Sequence, residues 1–264
     1  MSLSDGKVPL DVVLTQIVRV VKNGEPVRMS KRAGTYVALR DLIDEVGRDA
    51  VRFTMLTRKA DAQMEFDLDK VVEQSRDNPV FYVQYAHARA SGAARTAQAH
   101  GVDRSEFDAA LLTHATESEL LAQLAEFPAV VGAAARLREP HRVARHLEVI
   151  AGAYHSWYAA CRIVPMPTDD GTPRPVETLN RTRLWLNDAT AQVLANGLGL
   201  LGVSGLSGDL RELMAADTED AKAAVVLNGA KVRVDVEELP ENEIKSLAKQ
   251  KRVKPERIPL DQPP

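Results

Sequence analysis

Asn78-Pro79-Val80-Phe81-Tyr82-Val83-Gln84-Tyr85-Ala86-His87-Ala88-Arg89 decides the fold. Proline lacks the N–H that a helix interior needs, yet its fixed φ suits a helix's first turn. Pro79 therefore ends what precedes it and starts a helix that runs to about Gly101. Beyond it the chain reads as a helical bundle. Ser105 to Phe127 is read as one helix, and Pro128 as the start of another that ends before Glu139-Pro140. His141 to Cys161 carries Val143, Leu147, Ile150, Tyr154, Trp157 and Tyr158 at spacings of three and four, which make one apolar stripe. Pro165 to Pro175 is too polar and broken to be an element. Val176 to Leu201 is the last long helix, with Leu179, Leu184, Leu186, Val193, Leu194 and Leu198 as core candidates and Gly202 as its stop.

Before Pro79 the pattern is mixed. Asp11 to Arg28 is rich in Val, Ile and Thr, and Asn23-Gly24 supplies the two positive-φ positions of a type I′ hairpin turn. Leu39 to Gly47 reads as a short amphipathic helix, and Asp49 to Leu56 as a second one after a tight corner. Asp67 is expected to open a helix over Leu68 to Ser75, where the macrodipole favours an acid. After Ser204 about sixty residues remain. Ala224 to Val236 reads as a second Asn-Gly hairpin, and Glu241 to Gln250 as a short charged helix. Residues 242–257 hold six Lys/Arg against two Glu, a local charge of +4 that suits either a solvated tail or a non-specific phosphate contact.

The expected fold is therefore mainly α: a short N-terminal β-hairpin and linker helices, then an α-helical bundle, then a small α+β C-terminal tail. Of 264 residues, 45% are apolar and 27% charged, enough to bury a sizeable core. The net charge of −3 means that nucleic acid would be met by local patches, not by a globally basic field. A single cysteine, Cys161, rules out an internal disulfide framework and suits a reducing cytosol. No signal-peptide core opens the chain, and no uninterrupted run approaches the roughly 18 apolar residues of a membrane span. The expected location is cytoplasmic, with no membrane partner. No metal site is expected either: His141, His146, His155 and Cys161 share one helix but point about 140°, 180° and 240° apart in succession at 100° per residue.

Three stretches carry a family resemblance. Arg28-Met29-Ser30-Lys31-Arg32 resembles the KMSKS signature loop of class I aminoacyl-tRNA synthetases. The longer strings Gly24 to Gly34 with Leu39-Arg40-Asp41-Leu42, Gly47-Arg48-Asp49-Ala50-Val51-Arg52-Phe53, and Glu73 to Arg89 are similar to arginyl-tRNA synthetase. The likeness spans roughly Val12 to Val203 and is weaker between about Gly92 and Glu139. It implies a remnant of the catalytic domain over 1–66, a helical anticodon-binding domain over 67–204, and an extension of unknown role over 205–264.

The resemblance also assigns roles. Lys31 takes the place of the lysine that holds the ATP triphosphate, and Arg28 that of the loop's first cation, with Ser30 adding a hydrogen bond. A compact ammonium on a mobile loop can follow the charge that builds on leaving pyrophosphate. In the complete enzyme the partners would be arginine, ATP with Mg²⁺, and tRNA-Arg. None of the six histidines begins the His-x-Gly-His signature of the nucleotide site, and no glycine-rich strand-to-helix turn precedes the hairpin. The resemblance is thus to the C-terminal half, and the chain alone is not expected to form arginyl-adenylate. For tRNA, unpaired loop bases are held by stacking and edge hydrogen bonds. Tyr85, Arg89, Trp157 and Arg162 are the candidates; Tyr82 is read as core. The alternative is a stand-alone, non-catalytic helical module that binds tRNA or another partner.

Overall fold

A computed structural model describes residues 12–27, 37–73 and 77–205, all within one compact unit. Strands β1 (Val18–Lys22) and β2 (Glu25–Pro26) form the expected hairpin, with Val21 opposite Pro26 and Lys22 opposite Glu25. Asn23 and Gly24 sit at φ 53° and 75°, as the two-residue turn requires. The Asn23 N–H donates to Asp69 Oδ2 at 2.6 Å, fastening the turn to a segment far along the chain.

That segment corrects the sequence reading. Asp67 does not open a helix through the described residues 68–73. It ends a third strand, β3 (Met64–Asp67), which lies parallel to β1 and gives the order β2-β1-β3. Val18 pairs with Met64 and Val20 with Phe66. Met64 and Phe66 are buried and Glu65 is exposed, the period-two alternation of a half-buried strand. Asp67 still caps, but only one 3₁₀ turn (Lys70–Val72): its Oδ1 accepts from the N–H of Asp69 at 3.1 Å and of Lys70 at 3.3 Å.

Helices α1 (Leu39–Val46) and α2 (Arg48–Leu56) meet at Gly47, whose φ of 84° makes the corner. They cover the sheet through Val20, Leu42, Val51, Met64, Phe66 and Val71, a small core of its own. Helix α3 (Pro79–Ala99) starts at Pro79 as expected. Asn78 is buried, and its side-chain amide donates to the carbonyls of Val71 at 3.1 Å and Glu73 at 2.7 Å, locking the approach to α3.

Helices α4 (Ala115–Leu137), α5 (His141–Ala160) and α6 (Thr178–Leu201) complete the bundle. The first departs from expectation at both ends of its reading. Ser105 to His114 is a loop with one 3₁₀ turn (Ala109–Leu111), and Pro128 lies inside α4 instead of starting a helix. A proline inside a helix costs about 3 kcal/mol. Here Pro128 lies on the exposed side, while Leu120, Phe127 and Ala134 are buried and hold the helix across the break. Among the described residues α4 is one helix long and apolar enough to cross a membrane by length and composition, although Glu117, Glu119 and Glu126 interrupt its apolar run.

The stripe on α5 faces inward: Val143, Leu147, Ile150, Tyr154 and Trp157 are buried. On α6, Leu184, Leu186, Leu194 and Leu198 are buried, and Leu179 and Val193 partly so. A polar relay crosses this core. The Tyr154 hydroxyl donates to Asn187 Oδ1 at 2.8 Å, and Asn187 Nδ2 donates to the Ala90 carbonyl at 3.0 Å, linking α5, α6 and α3.

Helix α6 also comes so near α5 that a Cβ at Gly197 would stand 3.0 Å from both Cγ and Cδ1 of Leu147. Gly197→Ala is expected to destabilise, because overpacking costs about 1–3 kcal/mol against a helix-propensity gain of up to about 1 kcal/mol. Thermal unfolding should show a fall in Tm, relieved when Leu147→Val is added. A rise in Tm for Gly197→Ala alone would contradict the close approach.

Candidate nucleic-acid interface

Helices α3 and α5 lie side by side, and their half-buried residues build one surface. Tyr82, Tyr85 and Arg89 are three and four apart on α3 and share a face. His155 and Tyr158 come from α5. Arg89 is the centre. Its Nη2 donates to the Tyr85 hydroxyl, and its Nη1 lies 2.9 Å from His155 Nδ1. A guanidinium has no acceptor, so Nδ1 accepts and the His155 proton in this arrangement sits on Nε2. The guanidinium carbon is 4.5 Å from the centre of the Tyr85 ring and 5.2 Å from that of Tyr158. His155 in turn packs at 4.8 Å from Tyr82 and 5.2 Å from Tyr85. Phe81 stacks on Tyr85 at 5.9 Å with planes 22° apart. The result is a fixed aromatic platform around one cation.

Of the residues selected from sequence, Tyr85 and Arg89 meet here. Tyr82, read as core, is only half core: it packs on the bundle yet keeps exposed surface beside His155. Arg162 is exposed just beyond the end of α5, and its carbonyl accepts from Arg183 Nη1 at 3.1 Å. Trp157 is placed differently from the reading that offered it to RNA. It is 0% exposed, 5.6 Å from Tyr154, because the inward stripe of α5 continues through it. It has no surface to give a base. His155 and Tyr158 were missed; their spacing of three on the helix was the available signal, but only the packing of α5 on α3 shows which face they share.

Arg28, Ser30 and Lys31 lie outside the described residues. The residues that flank them are described. The Val27 N–H donates to the Val20 carbonyl at 2.9 Å, and the Ala38 N–H donates to Asp41 Oδ2 at 3.0 Å where α1 begins. The expected hairpin over 224–236 and helix over 241–250 are likewise outside them.

The Gly47-to-Phe53 motif has a structural task. Arg52 Nε donates to the Leu201 carbonyl at 2.9 Å and Arg48 Nη2 to the Gly202 carbonyl at 3.0 Å, so two cations from α2 satisfy the C-terminal end of α6. Gly202 is left-handed at φ 66°, and a Cβ there would stand 2.7 Å from Arg52 Nε. Asp49 Oδ2 accepts from the Ser204 N–H at 3.0 Å, and Gln84 Nε2 from α3 donates to the Ser204 carbonyl at 2.8 Å. The hairpin-bearing segment and the bundle are thereby joined through α2. No group of three or more His, Cys, Asp or Glu side chains converges as a metal site among the described residues.

Residues 83–207 match the DALR anticodon binding domain, a segment that contains Tyr85, Arg89, His155, Tyr158 and Arg162. The arginine–tRNA ligase of Micrococcus luteus is 74% identical over 195 residues, which cover 74% of this chain and 34% of that protein. That of Paenarthrobacter aurescens is 57% identical over 200 residues, covering 76% and 35%. A solved structure described as an arginyl-tRNA synthetase from Campylobacter jejuni superposes with a TM-score of 0.61 at 26% identity, over 74% of this chain and 40% of that one. The Thermus thermophilus arginyl-tRNA synthetase gives 0.50 at 26% identity, over 67% and 29%. The chain spans about a third of the length of the curated relatives it matches. Through its anticodon-binding segment and across these relatives, the chain is similar to the C-terminal portion of arginine–tRNA ligases.

Proposed function

We propose that this chain is the tRNA-reading portion of an arginine–tRNA ligase and that its α3–α5 platform meets unpaired bases of the tRNA-Arg anticodon loop. The observation that carries this is Arg89, whose guanidinium carbon lies 4.5 Å from the Tyr85 ring centre and 5.2 Å from that of Tyr158 on a half-exposed surface within the matched anticodon-binding segment. Every base has a π-face, and aromatic rings or an arginine plane fixed in advance can stack on it without first losing side-chain freedom. Arg162, exposed past the end of α5, would meet a phosphate.

In a complete ligase the arginine carboxylate attacks the α-phosphorus of ATP and pyrophosphate leaves; a hydroxyl at the tRNA 3′ end then takes the arginyl group and AMP leaves. Lys31, with Arg28 and Ser30, would hold the triphosphate, and Mg²⁺ would neutralise part of its charge. Residues 1–66 would then serve that catalytic centre, 67–204 the anticodon, and 205–264 remain an extension. The cytoplasm, where tRNA is charged, is the matching location. This chain alone, with no His-x-Gly-His signature, should give no arginine-dependent ATP–pyrophosphate exchange.

Binding tests the reading. At fixed salt, the chain should bind tRNA-Arg at least about tenfold more tightly than the same tRNA carrying another anticodon. Equal affinity for both would contradict anticodon reading and would point to a non-specific contact such as the basic stretch 242–257.

A further inference from the structure

Beside the platform, towards the N-terminal ends of α3 and α5, the surface dips into a groove of about 450 Å³ lined by Asp77, Pro79, Tyr82, Arg145, Glu148 and Val149. Tyr82 belongs to both: it borders this groove and packs 4.8 Å from His155 of the platform. The groove therefore continues the candidate RNA surface.

Its chemistry differs from that of the platform. Two carboxylates and one guanidinium line it, so a phosphate is poorly suited to its floor. Pro79, Tyr82 and Val149 give it flat, apolar walls. Glu148 is half-buried and makes no hydrogen bond among the described residues. Burial pushes its carboxyl above the ordinary value, and the nearby Arg145 guanidinium only partly opposes this. A carboxylate taken out of water without N–H donors is costly, and a ligand that brings donors relieves that cost.

We propose that this groove is a nucleobase subsite in which Glu148 accepts hydrogen bonds from an amino-bearing base of the tRNA loop. Cytosine offers N4–H, adenine N6–H, and guanine N1–H with N2–H; uracil offers only N3–H, flanked by two carbonyl oxygens that face the carboxylate. The base ring lies against Tyr82, Pro79 and Val149. Arg145 at the rim takes the phosphate of that nucleotide. Glu148 is thus a specificity-determining residue that reads a base edge, whereas Tyr85 and Arg89 stack. This inference rests on the reading of the chain as an anticodon-loop binder.

The test uses the full chain and a short RNA hairpin with the tRNA-Arg anticodon loop, each non-uridine loop base being replaced singly by uridine. At one position uridine should weaken wild-type binding by about tenfold yet change Glu148→Ala binding by less than about twofold. Glu148→Gln, which keeps a carbonyl acceptor, should retain part of the discrimination, and both variants should keep the wild-type Tm. The same uridine profile in wild type and Glu148→Ala would overturn the subsite, as would Glu148-dependent binding of an arginine-rich peptide instead of RNA. If the hairpin is bound with no preference for its anticodon, or not at all, the parent reading fails and the subsite fails with it. A preference that survives in Glu148→Ala at every position defeats the subsite alone.

Discussion

Glu117→Ala is expected to destabilise the chain by about 3–5 kcal/mol, the usual result of removing one partner from a buried ion pair. Glu117 is 0% exposed near the start of α4. Its Oε1 accepts from Arg183 Nε of α6 at 2.7 Å, and its Oε2 from the His114 N–H at 2.9 Å. One side chain thus completes the helix cap and ties α4 to α6. Alanine would leave the mostly buried Arg183 with only the Arg162 carbonyl among these partners, and the His114 N–H without its acceptor. Over a chain of this size such a loss lowers Tm by about 6–20 °C.

The pH dependence has a definite sign. Burial by itself raises the Glu117 carboxyl, but the His114 N–H and the Arg183 guanidinium outweigh it, so the group titrates below its ordinary 4.5. A depressed native value means that the stabilisation is fully present above about pH 4.5 and is lost as pH falls through the native value. Urea unfolding at pH 7 and at successively lower pH measures this. The gap between wild type and Glu117→Gln should be wide at pH 7 and narrow in acid. A constant gap would show that the carboxylate's charge does not contribute.

Arg89→Ala is expected to weaken binding of tRNA-Arg by about 5- to 150-fold, the range for losing a stacked base contact. Arg89→Lys should not restore it. An ammonium has no plane on which a base can stack, and it cannot point two separate fixed donors at Tyr85 and His155. Tyr85→Phe keeps the ring and should cost much less than Tyr85→Ala. Arg162→Ala acts by charge alone and should flatten the salt dependence by about one unit of slope, with little effect on anticodon preference. Equilibrium titrations over a salt series separate these outcomes. An Arg89→Ala variant that binds as wild type would remove the platform from the RNA surface.

Much of the fold was legible because the signals were local. Asn23-Gly24, Gly47, Pro79 and Gly202 each set a boundary through their own φ preference or missing donor, and each boundary is found. What was not legible depends on distant partners. Met64 to Asp67 is only four residues long, and its partner β1 lies more than forty residues earlier, so no local period marks it as a parallel strand. Pro128 looked like a helix start, but Leu120, Phe127 and Ala134 bury on the same helix and outweigh one lost hydrogen bond. The candidate site divides in the same way. The spacing of Tyr85 and Arg89 within α3 was readable. That Arg89 also meets His155 and Tyr158, and that Trp157 turns inward, follows only from how α5 packs on α3.

The most direct measurement is a ribonuclease footprint of the full chain on intact tRNA-Arg, with wild type beside Arg89→Ala. Protection by wild type should centre on the anticodon loop and should fade for Arg89→Ala at equal protein concentration. Protection confined to other arms of the tRNA, or a loop footprint that Arg89→Ala leaves unchanged, would contradict anticodon reading by the α3–α5 platform.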